Sequence, residues 1–184
     1  SFIHQGADFD GSEVVLIDLD AERLALIKKL ADKMAKARGL DLTITTTTDR
    51  RAGLTDVDAV LSSFRPGGFE ARVLDERIPL RNGVIGQETQ GPGGFFMALR
   101  AIAVLREVCA EMAEVCPQAA IYNYTNPVNV VAQAITRYTD VPIVSLCEGP
   151  IYFRNEVARV AGLDEERLQA TMVGLNHGCW SVEA

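Results

Sequence analysis

Glu13-Val14-Val15-Leu16-Ile17-Asp18-Leu19-Asp20 is a run of β-branched and apolar residues that ends in acid. Bounded by turn residues, such a run is the pattern of a buried strand. Asp20 carries the side chain of a helix N-cap, and Leu24, Ile27, Leu30, Ala31 and Met34 then keep one face apolar until Gly39 supplies a stop. Strand, helix and a second strand at Leu42 to Thr47 make one crossover unit, and the unit repeats. Strands are expected over Asp58 to Phe64, Ala119 to Tyr124, Pro142 to Leu146 and Gln169 to Leu175. Helices are expected over Phe95 to Val115, from Asn126-Pro127 onward, and near Ile151 to Ala161. Strands alternating with helices imply crossovers, so the expected fold is α/β with a doubly wound parallel sheet. Arg65 to Gly94 interrupts the pattern, reading as too polar and broken for core, and loops this long in a compact domain are usually functional or disordered.

Of the 184 residues, 48% are apolar and 23% charged, enough for one sizeable core and the edge of a second. The formal charge of -7 is spread along the sequence. No block of Lys or Arg could follow a phosphate backbone, so nucleic acid is not an expected partner. Arg65, Arg72, Arg77 and Arg81 supply the local positive charge that a small anionic ligand needs. No apolar run approaches the roughly 20 residues that span a bilayer, and the first residues do not read as a signal peptide. No membrane partner is therefore expected, and the expected location is the cytoplasm. Cys109, Cys116, Cys147 and Cys179 show no disulfide-framework spacing and are expected to be reduced.

Cys147-Glu148 ends the apolar run Val141 to Leu146, and His177 closes Gly174-Leu175-Asn176-His177. A thiolate and an imidazole at the carboxyl edge of a parallel sheet would hold a divalent cation beside a bound cofactor. The same residue types also serve as a buried cysteine and a core histidine. Asp18 lies where an acid would accept hydrogen bonds from the adenosine ribose hydroxyls of a dinucleotide, with Asp20 left to cap the helix. The glycine fingerprint of such a Rossmann-like site belongs about 20 residues earlier, so the first strand and phosphate loop are expected to be missing from Ser1 to Ala184. Asn126, between a strand and a helix, would aim its amide into the crevice beside a nicotinamide.

Ala71-Arg72, Asp75-Glu76-Arg77-Ile78-Pro79-Leu80, Gly86-Gln87-Glu88-Thr89-Gln90-Gly91-Pro92-Gly93-Gly94, Tyr124-Thr125-Asn126-Pro127, Leu146-Cys147-Glu148-Gly149-Pro150 and Gly174-Leu175-Asn176-His177 occur in this order. Together they resemble glycoside hydrolase family four, whose members include 6-phospho-glucosidases, α-galactosidases and α-glucosidases that use NAD and a divalent metal, usually manganese. The resemblance runs from about Glu13 to Trp180.

The resemblance implies that Cys147 and His177 bind the metal, which also takes the 2- and 3-hydroxyl oxygens of the sugar. It implies that NAD oxidises C3 of the sugar, that a base removes the acidified C2 proton, and that the aglycone leaves by elimination before water adds and the hydride returns. Such chemistry stands outside the usual two-carboxylate glycosidase scheme. Glu148 would assist departure of the aglycone; this place is Asp in the phospho-α-glucosidases and Asn in the phospho-β-glucosidases, so the anomer stays open. Glu88 would sit beside the catalytic tyrosine and raise its basicity, and Arg72 and Asn126 would hold the sugar. A guanidinium fork suits a phosphate, and Cys147-x-x-Pro150 is more like the phospho-sugar members, so a 6-phospho-glucoside is the expected substrate.

The tyrosine base of the family would lie beyond Ala184, and this stretch alone is expected to be inactive. The expected division is 1–168 as an N-terminally incomplete NAD-binding domain and 169–184 as the start of a substrate and metal domain, in a dimer or tetramer of identical subunits. Two other readings share these features. One is a lactate or malate dehydrogenase, which shares the Asn-Pro-Val helix start but has no use for Cys147 or the Gln87 to Gly94 loop; the other is a non-catalytic nucleotide-binding module.

Overall fold

The computed structural model describes residues 6–183, and the chain divides into two compact units, Ser1–Asp56 and Val57–Ala184. In the first, a 3-10 turn (Gly6–Phe9) leads into β1 (Ser12–Ile17), α1 (Ala21–Arg38), β2 (Leu42–Thr47) and a short α2 (Arg50–Leu54). β1 and β2 pair in parallel, from Ser12 opposite Leu42 to Ile17 opposite Thr47. Asp20 caps α1 as its side chain dictates, accepting from the backbone N–H groups of Glu22 and Arg23 at 3.0 Å each. Gly39, at φ 67°, closes the other end in the left-handed conformation that glycine adopts without cost. The expected apolar face of α1 is covered only in part. Leu24 and Ala35 are buried, and Ile27, Leu30 and Met34 are exposed.

The second unit contains β3 (Ala59–Ser62), α3 (Gly68–Arg81), α4 (Gly91–Val115), β4 (Ala120–Asn123), α5 (Val128–Tyr138), β5 (Ile143–Ser145), α6 (Gly149–Ala161), β6 (Thr171–Leu175) and β7 (Gly178–Glu183). β4 lies between β3 and β5, parallel to both, which is the expected α/β arrangement. Met97, Ala101, Leu105 and Met112 form one stripe along α4, and with Ile121, Val131 and Ile135 they are sealed from solvent. That burial is the main stabilising term of the unit. Among the described residues no helix is long and apolar enough to cross a membrane, and all four cysteines are free thiols.

Two expectations need correction. Arg65 to Gly94 is not a broken loop: fourteen of its residues form α3. The helix is anchored by an acid, since Asp75 is buried and the Arg100 guanidinium of α4 grips both of its oxygens, Nη1 to Oδ1 at 3.1 Å and Nη2 to Oδ2. The pair is non-local and leaves Val73, Leu74 and Ile78 exposed, so the helix lacks an apolar stripe that a sequence could reveal. The strand expected at Gln169 to Leu175 exists as β6, but it pairs antiparallel with β7 rather than extending the parallel sheet. Only Asn176 and His177 separate these strands, too few for a crossover and enough for a tight hairpin.

The carboxyl ends of β3, β4 and β5 are joined by one buried side chain. Asn123 Oδ1 accepts from Ser62 Oγ at 2.7 Å and from the Thr125 N–H at 3.0 Å. Asn123 Nδ2 donates to the Thr125 carbonyl at 3.1 Å and to Ser145 Oγ at 3.0 Å. Asn123→Leu keeps the volume and removes all four bonds, orphaning polar groups of the buried Ser62 and Thr125, so a loss of about 3 kcal/mol is expected. Urea unfolding of the full chain measures it, and a loss below about 1 kcal/mol would mean that the network contributes no more than an ordinary single bond.

Candidate active site at the carboxyl edge of the parallel sheet

The loop between α3 and α4 is shaped by its glycines. A Cβ at Gly86 would strike the carbonyl of Glu76, one at Gly93 that of Gln87, and one at Gly94 that of Thr89. Only hydrogen fits at these places, so the loop lies directly against α3 and the first turn of α4. Within it Gln87 Oε1 accepts from the backbone N–H groups of Thr89 and Gln90, at 2.5 and 2.6 Å. This bracket turns the intervening Glu88 side chain inward.

Glu88 is the centre of the site, with its side chain only 11% exposed. Its Oε1 accepts from Thr89 Oγ1 at 2.8 Å and from Asn126 Nδ2 at 3.1 Å. His177 Nδ1 lies 3.6 Å from the same oxygen, beyond hydrogen-bond range. Oε2 meets Arg65 Nη2 at 2.5 Å as an ion pair without an aligned hydrogen bond. Burial pushes the Glu88 carboxyl up, but the Thr89 hydroxyl, the Arg65 guanidinium and the nearby charge of Arg72 outweigh it and hold the group below the ordinary carboxylate range. Glu88 is therefore an anion at neutral pH. Arg72 is set by its own neighbour: Nε bonds Glu76 Oε1 at 2.7 Å, one helical turn on, and this bond raises the guanidinium pKa still further. Of the four arginines suggested for an anionic ligand, Arg65 and Arg72 face this cluster, and Arg77 and Arg81 are exposed on α3.

Asn126 leaves β4 and His177 sits in the β6–β7 turn, so two separate loops converge on Glu88. Cys147 follows β5, the next strand over, where the Leu146 N–H bonds the Asn123 carbonyl at 2.9 Å. Cys147 is exposed, and its sulfur accepts from the Gly149 N–H at 3.5 Å. Glu148 occupies the N-cap position of α6 yet makes no side-chain cap bond, so its exposed carboxyl is not consumed by the helix. Among the described residues, no hydrogen bond or ion pair links Cys147 or Glu148 to Glu88 or His177. Nor does any group of three or more His, Cys, Asp or Glu side chains assemble into a ready-made metal cage. A thiol and an imidazole are donor types suited to a divalent cation, so Cys147 and His177 could each supply a ligand. The buried Asn176 amide, whose Oδ1 and Nδ2 have no protein partner, adds unsatisfied polarity on the same turn.

Asp18, in the first unit, is exposed at the end of β1 but is not entirely free, because its Oδ1 accepts the Asp20 N–H at 3.1 Å. Sequence reasoning missed the participation of Thr89, Gln90, Asn123 and Asn129. It placed Arg65 among the positive charges without its partner. The signal available for Asn123 was a polar residue closing an otherwise apolar strand.

A parallel α/β sheet with a charged polar cluster beyond its carboxyl edge is the general layout of a nucleotide-dependent enzyme. Residues 1–163 match the model of the family 4 glycosyl hydrolases, and the chain belongs to that family. A relative from Bacillus subtilis (strain 168), named "Probable 6-phospho-beta-glucosidase", is 41% identical over 96% of this chain and 40% of its own length. A 6-phospho-alpha-glucosidase from gut microorganisms, solved in complex with NAD and Mn2+, superposes with a TM-score of 0.87 at 34% identity, covering 98% of this chain and 42% of that one. The Thermotoga maritima 6-phospho-beta glucosidase, solved with manganese, NAD+ and glucose-6-phosphate, gives 0.81 at 32% identity, over 92% and 41%. The chain thus spans about two fifths of the length of these relatives. The hydroxy-acid dehydrogenase reading gives way to the family match.

Arg65→Met strands the Glu88 anion, and Glu88→Gln strands the Arg65 cation, so each is expected to destabilise the chain. The double variant is expected to recover about 1–2 kcal/mol of the summed loss in a denaturation cycle. Strict additivity would mean that solvent screening already cancels the pair.

Proposed function

We propose that this chain is part of an NAD- and divalent-metal-dependent glycosidase that hydrolyses 6-phospho-glucosides. The observation that supports the reading best is the convergence of Glu88, Asn126 and His177 beyond the parallel sheet, in a member of family 4. The names and ligands of the related proteins point to the same substrate class. When bound, NAD supplies reversible oxidation at a sugar carbon, and a divalent cation such as Mn2+ supplies Lewis acidity toward the sugar oxygens.

The residues divide the remaining work. Cys147 and His177 hold the cation. Asp18 keeps Oδ2 for the ribose hydroxyls while Oδ1 serves the start of α1. Arg72, its Nε taken by Glu76, keeps its two Nη nitrogens for the phosphate or hydroxyls of the sugar. Asn126 donates to Glu88 and keeps its carbonyl oxygen as an acceptor for a substrate hydroxyl. The ionised Glu88 raises the basicity of a tyrosine hydroxyl placed against it, and Glu148 gives a proton to the departing aglycone oxygen. Residues 1–168 form the nucleotide-binding part, and 169–184 open the part that covers substrate and metal. The enzyme works in the cytoplasm as a dimer or tetramer of identical subunits.

The test is hydrolysis of nitrophenyl 6-phospho-α- and β-glucosides by the full-length protein. Turnover is expected to require both NAD and Mn2+, and the sugar phosphate released in D2O is expected to carry deuterium at C2. Cys147→Ala and His177→Ala are expected to lower kcat/KM by at least about 100-fold, as the loss of a main charge-stabilising group does. Hydrolysis without NAD, or a product without solvent deuterium at C2, would overturn the mechanism, and accumulation of NADH with a 2-hydroxy acid would favour a dehydrogenase. Glu148→Gln is expected to cost about 100-fold on an alkyl aglycone and much less on nitrophenol, which leaves without a proton. Equal losses on both would remove Glu148 from the acid role.

A further inference from the structure

The hairpin turn that carries His177 has little apolar packing around it. Val173, Gly174, Leu175 and His177 are all exposed. His177 has φ 58°, the left-handed region, which costs a residue with a side chain roughly 1–2 kcal/mol. The β6–β7 ladder closes the turn, and two side-chain amides from outside the hairpin grip the peptide groups of the preceding residue. The Asn176 N–H donates to Asn129 Oδ1 at 2.6 Å, and the Asn176 carbonyl accepts from Gln90 Nε2.

Both amides come from helix starts. Asn129 is the second residue of α5, and Gln90 is the N-cap residue of α4. The Gln90 backbone is itself held by Gln87 Oε1. Gly178 admits the amide: a Cβ there would sit 3.3 Å from Gln90 Nε2, tighter than an ordinary contact. Two residues before Gln90, on the same loop, Glu88 faces the imidazole.

We infer that Asn129 and Gln90 are positioning residues that clamp the Asn176 peptide, fix the His177 imidazole over Glu88 and so set the affinity of the His177 site for a divalent cation. The inference rests on the proposed role of His177 in holding that cation. Neither amide is a ligand. Each acts only through the turn, as outer hydrogen bonds act on the ligands they orient.

The experiment titrates the full-length protein with Mn2+, following free Mn2+ by electron paramagnetic resonance, and measures exchange of the Asn176 amide hydrogen by NMR. Asn129→Leu and Gln90→Met keep bulk and remove the clamp; each is expected to weaken Mn2+ binding about tenfold. Asn129→Leu should also speed Asn176 exchange. Asn129→Asp keeps the acceptor and is expected to retain both slow exchange and affinity at least equal to the parent. Parent-like affinity and exchange in Asn129→Leu and Gln90→Met would overturn the clamp, as would fast exchange in Asn129→Asp. His177→Ala separates the two ideas. If it binds Mn2+ like the parent, the metal assignment itself falls; if it loses binding while the clamp variants keep it, only the positioning role falls.

Discussion

Asn123 is the constraint on which the site depends. Its amide touches the hydroxyls that close β3 and β5 and the backbone that leaves β4, and through Ser145, whose Oγ donates to the Val128 carbonyl at 3.1 Å, it also reaches the first residue of α5. Strands in a sheet lie about 4.8 Å apart, so three carboxyl ends locked in register set a spacing for whatever follows them. Arg65 follows β3, Asn126 follows β4, and Cys147 and Glu148 follow β5. Each lies within three residues of the lock. Their backbones have little freedom to drift, and a hydrogen-bonded asparagine achieves this where an apolar side chain of equal size could not.

Charge then does what the sheet cannot. The protein carries a net charge of -7, yet its most buried site carboxylate is surrounded by Arg65, Arg72, a hydroxyl and an amide. An isolated anion at that depth would protonate. The donors around Glu88 keep it ionised, and Thr89 and Asn126 fix Oε1 while Arg65 pairs with Oε2, so the site presents an oriented negative charge before any ligand arrives. Such preorganisation is what makes an electrostatic group effective, because no energy goes into turning it at the moment of reaction.

What the sequence revealed and what it hid follow from the range of the interactions. Asp20, Gly39 and the strand at Glu13 were legible because cap, stop and strand pattern each act over a few residues. α3 was not, because its anchor is the Asp75 and Arg100 pair, 25 residues apart, and its apolar residues are exposed. The apolar spacing of α1 was legible, but spacing does not say how much surface exists to cover it. Cys147, His177, Asp18 and Asn126 could be named from their places at strand ends and turns, and Glu88 and Glu148 through the resemblance, while the partners that orient them could not. Thr89, Gln90 and Asn129 are ordinary polar residues until folding brings them to Glu88 and Asn176, and only Thr89 is a sequence neighbour of the residue it serves.

The loop from Gly86 to Gly94 ties these levels together. Its glycines remove the Cβ atoms that would hold it away from α3 and α4, and that close approach lets one short segment present an acid at Glu88 and an amide at Gln90 to the same turn. An isolated two-stranded hairpin is at best marginally stable in water, so the β6–β7 hairpin draws part of its order from the amides that grip Asn176. By linkage, a ligand that binds only the ordered turn stabilises the order it requires. A cation at His177 would therefore strengthen the hold of Asn129 and Gln90 by the same free energy with which they favour the cation.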